Sequence, residues 1–271
     1  MTRLFHVSDL HFGREDKAAV AWFKERVQAE KPDAVICTGD LTMRARSREF
    51  AAAADYLDDM PVPVTVEPGN HDLPYYTNPI ARFFWPYKRY GRVEKLVERP
   101  LTLDAVEVVP LKTTARAQLR WNWSWGVVDQ DSLHAALGQL GRIEPPRLAL
   151  VACHHPLIDK EGLKSEGNTL GGRKALTRLA GAGADVVLSG HVHDPFDVAY
   201  EVEGRRVRLV GAGTLSERVR STPPSFNELR VDGGELTVVV RTMDARPPEV
   251  LDTIEAAPST PLPTERLDEP A

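Results

Sequence analysis

Two histidines two residues apart, His191 and His193, follow an apolar run in "DVVLSGHVHDP", residues 185–195. In extended backbone the side chains at i and i+2 share a side, so both imidazoles can turn toward one ion. A lone His-x-His is more often an ordinary turn, and the pair gains meaning only from company elsewhere. Four other places supply it: "SDLH" carries Asp9 and His11, "TGDL" carries Asp40, "PGNHD" carries Asn70, His71 and Asp72, and "ACHHPL" carries His154 and His155. Carboxylates, an amide and imidazoles without a thiolate suit Zn, Mn or Fe rather than a sulfur-rich structural site. Asp9, His11, Asp40, Asn70, His154, His191 and His193 make seven ligands, too many for one ion and suited to two that share a carboxylate. Two-metal sites, with ions about 3.5–4 Å apart, serve phosphatases, nucleases and related hydrolases.

Each of these groups falls where a predicted strand ends. Residues 3–8, 34–41, 61–69, 148–153 and 185–190 read as apolar strands, and in open α/β sheets ligands sit just outside the carboxyl ends of strands. Between them lie helical patterns: 16–30 with Val20, Phe23 and Val27 on one face, 47–60 capped by Ser47, 131–140 with Leu133, Leu137 and Leu140, and 172–183 ending in glycines. Segment 73–92 is aromatic, basic and proline-punctuated with no clear period. Residues 196–213 and 226–244 read as two hairpins, turning at Glu203-Gly204 and at Asp232-Gly233-Gly234. One domain over 1–244 is expected, followed by a Pro- and acid-rich tail, 245–271, that is disordered or a surface strap.

In that order at strand ends, "SDLH", "TGDL", "PGNHD", "ACHHPL" and "SGHVH" resemble the calcineurin-like metallophosphoesterase superfamily over residues 1–242, with most likeness to the class III cyclic nucleotide phosphodiesterase branch. The resemblance implies an α/β fold, a four-layer α/β/β/α sandwich of two mixed sheets flanked by helices. It implies two transition metal ions (Mn, Fe or Zn). Asp9, His11 and His193 would bind one, Asn70, His154 and His191 the other, and Asp40 would bridge. His71 resembles the family's non-ligand histidine that meets the scissile phosphate, and the nucleophile would be a metal-bridging hydroxide. His155 is a weaker candidate for touching the metal or the phosphate. Asp72 and Asp194 either orient ligand histidines or lie solvated in loops. His6 and His134 read as structural.

For substrate, the resemblance points to a small, nucleotide-like phosphodiester, first of all a 3′,5′-cyclic nucleotide. The alternative is a pyrophosphate or other diester link in a nucleotide-sugar lipid, a dinucleoside polyphosphate or a glycerophosphodiester. Arg82, Lys88 and Arg89 are candidates for phosphate oxygens, and Tyr75, Tyr76, Phe84 and Trp85 for stacking on a base, against the plainer reading of a small aromatic core under a loop. Trp121, Trp123 and Trp125 would share one face in a strand, with core packing the default and a nucleobase wall the alternative. A formal charge of −5 gives no general attraction to nucleic acid, which weakens a nuclease reading. All seven ligand positions are kept, which weighs against a metal-free binding scaffold. No apolar leader or membrane-length run is present in the sequence, so a cytoplasmic protein is expected, with Cys37 and Cys153 reduced and buried.

Overall fold

Asp16 ends the extended segment after the first strand by accepting from the backbone N–H groups of Ala18 and Ala19, which satisfies two free donors at the start of helix α1 (Lys17–Glu30). The helix stops where Lys31 turns left-handed ahead of Pro32. Helix α2 (Ser47–Asp58) starts differently from expectation. Arg46, not Ser47, is its capping position, and the Glu49 carboxylate reaches back to the N–H groups of Arg44 and Arg46.

The computed structural model describes residues 1–75, 77–99, 101–117, 122–158, 169–244 and 248–255. One sheet contains β1 (Thr2–Val7), β2 (Ala34–Cys37), β3 (Val64–Val66), β9 (Ser225–Asp232), β10 (Glu235–Thr242) and β11 (Glu249–Val250), in the order β11-β10-β9-β1-β2-β3. The other contains β4 (Val106–Pro110), β5 (Leu148–Ala152), β6 (Val186–Ser189), β7 (Phe196–Val202), β8 (Arg205–Gly211) and β12 (Ile254–Glu255), in the order β12-β7-β8-β6-β5-β4. Both sheets are mixed: β1, β2 and β3 are mutually parallel, as are β4, β5, β6 and β8, while β9 and β10 run antiparallel to their neighbours and β7 runs antiparallel to β8 but parallel to β12.

Strand alternation sorts the core into layers. Leu4, Ile36, Leu229 and Val231 of the first sheet meet Leu150, Val186, Leu188 and Val210 of the second. Their neighbours Phe5, Val35 and Phe226 face outward onto α1, α2 and α4 (Tyr90–Val97). Val109, Val151, Val187 and Leu209 face α5 (Gln130–Leu140) and α6 (Gly172–Gly181). Helices thus cover the outer faces of two stacked sheets, the expected α/β/β/α sandwich.

Segment 73–92, without a period in sequence, contains the short helix α3 (Pro79–Phe84) and runs into α4. Both hairpins form, with strands β7–β8 and β9–β10. Sheet pairing continues past 244: Val250 pairs with Val239 of the first sheet and Ile254 with Val198 of the second, so residues 249–255 pair with both sheets. Residues 256–271 of the expected tail lie outside the described residues. No described helix is long and apolar enough to cross a membrane.

Candidate metal centre

The parallel strands deliver the site. Asp9 and His11 follow β1, Asp40 follows β2, Asn70–Asp72 form a 3₁₀ turn after β3, His154 and His155 follow β5, and His191 and His193 follow β6. Asp9, His11, Asp40, His191 and His193 all take left-handed backbone, with φ of 56°, 48°, 53°, 71° and 63°. Such conformations cost about 1–2 kcal/mol each for residues with a Cβ and cluster where function demands them. Here they are held by cross-strand bonds: Asp9 N–H to Gly39 O (3.0 Å), His11 N–H to Asp40 O (2.9 Å) and His191 N–H to Asp9 Oδ2 (2.8 Å). Gly190 packs so closely on the first strand's end that a Cβ there would meet Asp9 Oδ2 at 2.6 Å.

Donor atoms converge in two overlapping groups. His193 Nε2 lies 3.1 Å and His11 Nε2 3.5 Å from Asp9 Oδ1, and the two imidazole nitrogens are 3.3 Å apart. On the other side His154 Nε2 lies 3.1 Å from Asn70 Oδ1. Asp40 Oδ2 stands between them, 3.7 Å from His11 Nε2 and 3.4 Å from His154 Nε2. Its other oxygen accepts from the His71 N–H at 2.8 Å, which fixes the carboxylate's rotation. The His191 ring is 5.2 Å, centroid to centroid, from that of His154.

Hydrogen bonds set the tautomers. His154 Nδ1–H donates to Thr38 O (2.7 Å) and His193 Nδ1–H to Arg218 O (2.7 Å), leaving each Nε2 aimed at the carboxylates. A carbonyl behind a ligating histidine is the usual arrangement at metal sites. The donor set fits a cation on a further count: among the described residues, Asp9 Oδ1 is buried without a hydrogen-bond partner. A buried carboxylate oxygen without a donor is costly unless a positive charge faces it.

Charge balance agrees. Burial opposes ionisation of Asp40, but His154, His71 and His11 hold its carboxyl well below the usual range. Burial likewise opposes ionisation of Asp9, and His193 and His11 outweigh it. Burial alone would lower His154, yet Asp40 and then Asp9 raise it to about 9, whereas burial and the neighbouring His154 push His191 down to about 3. Two anionic carboxylates are therefore enclosed by imidazoles, and in the absence of metal His154 carries a proton that balances part of their charge.

His71 and His155 lie within ligand distance of the cluster but are engaged otherwise. His71 Nδ1–H donates to Met43 O (2.7 Å), and its Nε2 faces Arg218 Nη1 at 3.1 Å. Burial, partly offset by Asp40, lowers its pKa to about 4. His155 uses both nitrogens in hydrogen bonds: Nε2–H donates to Ser124 O (2.9 Å) and Nδ1 lies 3.0 Å from Thr113 Oγ1. Both ring nitrogens are thus engaged as in the plainer reading, a histidine hydrogen-bonded within the loop, although the ring stays beside His154 and His191. The ring instead anchors the loop around Ser124.

Arg82 requires correction. It is 1% exposed and donates to the carbonyls of Pro74 (2.6 Å), Arg116 (2.7 Å) and Ala115 (3.2 Å), so its guanidinium ties two loops together. Arg89 donates to Ala45 O at 2.7 Å, and Lys88 lies over the Trp85 ring. Phe84 and Trp85 are exposed on and beside α3, Tyr76 and Trp121 fall outside the described residues, and Tyr75 donates to Met43 O beside His71. Trp123, read by default as core, is half-buried and sits 5.2 Å from the His71 ring and 4.9 Å from Tyr75, so it walls the site. Residues 122–126 are a turn rather than a strand, so Trp123 and Trp125 do not lie on a strand face.

Asp72 accepts from Leu41, Thr42 and Gly69 N–H groups and holds the Asp40 loop, whereas Asp194 binds Ser221 and Thr222 rather than a histidine. His6 is buried against Thr38, and His134 is exposed on α5, both outside the site.

Arg218 is the functional candidate that the sequence reading missed. Strand β8 was read only as half of a hairpin, but it runs parallel to β6. Its following loop therefore emerges beside "GHVH", and strand direction was the available signal.

The family model for calcineurin-like phosphoesterases matches residues 2–195, more than half of the chain. The chain belongs to the calcineurin-like phosphoesterase family. Members are phosphoesterase hydrolases that use a dinuclear metal centre. Among relatives, the family likeness includes one component of the nuclease SbcCD of Staphylococcus epidermidis, 22% identical over 219 residues, covering 72% of this chain and 58% of that protein. It also includes a probable glycerophosphodiester phosphodiesterase, GpdQ, of Arcobacter nitrofigilis, 28% identical over 169 residues, covering 60% of this chain and 57% of that protein. The chain thus matches less than two thirds of either relative's length. A dimetal phosphatase from Danio rerio shares the fold with a TM-score of 0.62 at 12% identity, over 92% of this chain and 98% of that one.

Proposed function

We propose that this protein is a dinuclear-metal-dependent phosphodiesterase for small diesters, with 3′,5′-cyclic nucleotides as the first substrates to test. The observation that carries the reading is the position of Asp40 Oδ2 between His11 Nε2 and His154 Nε2, where one carboxylate oxygen serves two donor groups. Asp9, His11 and His193 would hold one ion, Asn70, His154 and His191 the other, and Asp40 would bridge them. Such a pair, when bound, supplies positive charge at the phosphoryl group and a water acidic enough to attack at neutral pH.

The protein's own groups do the rest. The Thr38 and Arg218 carbonyls keep His154 and His193 in the tautomer that ligates through Nε2. Asp72, through the Leu41, Thr42 and Gly69 N–H groups, keeps the Asp40 and Asn70 loops together. His71 is locked by Met43 with its bare Nε2 facing the site. Neutral at rest, with its pKa lowered to about 4, it would take up a proton at Nε2 as the reaction proceeds and pass it to the leaving oxygen. Trp123 and Tyr75 flank His71 and give the organic part of the ester an aromatic surface.

The alternative reading keeps this chemistry and changes the ester to a glycerophosphodiester or a pyrophosphate link. The name of the Arcobacter relative supports the first of these. A nuclease, the name of the staphylococcal relative, sits poorly with a net charge of −5. The deciding experiment is a turnover panel of Mn²⁺-loaded protein on cyclic AMP, bis-p-nitrophenyl phosphate, glycerophosphodiester, a nucleotide pyrophosphate and p-nitrophenyl phosphate. Cleavage of diesters is expected, and cleavage of the monoester alone would refute the phosphodiesterase reading.

A further inference from the structure

The loop after β8 is pinned to the metal-ligand residues along its length. Thr214 Oγ1 donates to Asp9 O at 2.7 Å, and Ser216 Oγ accepts from Arg218 N–H at 3.2 Å. His193 donates to the Arg218 carbonyl. Asp194 accepts from Ser221 N–H (3.1 Å), Ser221 Oγ–H (2.7 Å) and Thr222 N–H (2.9 Å). The backbone of Arg218 is therefore fixed beside His193, and its side chain returns over the site. Nη1 lies 3.1 Å from His71 Nε2 and 3.4 Å from His11 Nε2. The adjacent Glu217 pairs with Arg14 instead, and among the described residues no carboxylate forms an ion pair with Arg218.

This arrangement makes Arg218 a cation in search of an anion. A metal held by His11 through Nε2 takes the lone pair that Nη1 now faces, and it repels the guanidinium as well. With metals loaded, Arg218 keeps its place over the site only if something negative meets it there. A planar guanidinium with several N–H groups matches the oxygens of a phosphoryl group, and its hydrogen bonds to an anion are of the strong, charge-assisted kind.

We propose that Arg218 is a substrate-binding residue whose guanidinium grips a non-bridging oxygen of the scissile phosphoryl group on the His71 side of the site. The assignment rests on the phosphoesterase reading above and gives this chain a phosphate-binding arginine 136 positions beyond the one expected from sequence, Arg82. The anion it meets is the phosphoryl group itself, so its role extends to diesters of either alcohol.

The test uses Mn²⁺-loaded wild type, Arg218→Ala and Arg218→Lys. Three quantities are measured: bound Mn²⁺ per chain, the affinity for inorganic phosphate by calorimetry, and kcat/KM on bis-p-nitrophenyl phosphate. Arg218→Ala should keep its metal while losing phosphate affinity and kcat/KM by about 10–100-fold, the scale of a charged hydrogen bond. Arg218→Lys should fall between, since a lysine restores the charge without the fork. Unchanged phosphate affinity and kcat/KM in a fully loaded Ala variant would overturn the assignment. Loss of Mn²⁺ from that variant would overturn it too, by making Arg218 a support for the metals. If wild type turns over the diester while Arg218 proves indifferent, this assignment alone fails. If loaded wild type neither turns over nor binds phosphate, the phosphoesterase reading fails with it.

Discussion

Replacing Gly190 by alanine tests how tightly the strand ends are packed around the ligands. A Cβ at this position would lie 2.6 Å from Asp9 Oδ2 and closer still to Ser8 Oγ, where ordinary contact begins at 3.4 Å. Asp9 Oδ2 already accepts from the His191 N–H, and the neighbouring Gly190 N–H donates to His154 O at 2.9 Å, so no element can retreat without disturbing another ligand. Relieving the Asp9 contact requires a shift of about 0.8 Å, several times the ~0.2 Å tolerance of metal–ligand distances. Overpacking of this kind costs about 1–3 kcal/mol, or about 4–8 °C in Tm at the middle of that range. The expectation for Gly190→Ala is a metal-free protein that folds with Tm lowered by that amount. Its affinity for one of two Mn²⁺ equivalents should fall at least ~10–100-fold, the scale of lost ligand orientation. Adding Ser8→Ala removes the tighter clash and should recover part of the Tm, but not the metal, because the Asp9 contact remains. Calorimetric melts without metal and Mn²⁺ titrations separate the two effects. A Gly190→Ala protein with two wild-type affinities and an unchanged Tm would refute the reasoning.

Three further outcomes are expected. Asp40→Ala should abolish turnover and lower bound Mn²⁺ at both positions together, as metal analysis after gel filtration would show; retention of two equivalents would contradict a shared ligand. His71→Ala should keep both metals and lower kcat by about 10²–10⁴-fold, the usual scale for a lost acid–base group, and metal loss would show that its role is misassigned. Glu67 is 5% exposed, and its burial, with Glu98 and Glu94 nearby, raises its carboxyl well above the ordinary 4.5. The folded protein thus keeps a proton that the unfolded chain releases, and the group's contribution, fully present below pH 4.5, is lost as pH rises toward its folded value. The slope is about 1.4 kcal/mol per pH unit while that carboxyl stays protonated, so the stability advantage of Glu67→Gln should widen with pH in denaturant melts. A constant difference across pH 5–9 would contradict it.

Much of the site was legible in the sequence because ligand chemistry is carried by residue type and strand ends are marked by apolar runs. Asp9, His11, Asp40, Asn70, His154, His191 and His193 could be named together, and their donor atoms lie close to one another in overlapping groups. The hairpin turns were legible for the same local reason, with Gly204, Gly233 and Gly234 in left-handed backbone. Segment 73–92 was not, because its helices are short and its aromatic residues face solvent as well as core.

The sequence by itself determined which chemical groups stand at the ends of the parallel strands and that they suit a pair of cations. Only the tertiary structure decided what each neighbouring group does. Arg82 and Arg218 are the same residue type, yet one is enclosed by carbonyls and the other overhangs His71 from 147 positions away. His154 and His155 are adjacent, yet the Nε2 of one faces the Asn70 and Asp40 oxygens of the site and that of the other is bonded to Ser124 O. The reason is physical: a side chain's charge is written in its type, but its free donors and lone pairs are whatever remains after the fold has supplied its partners.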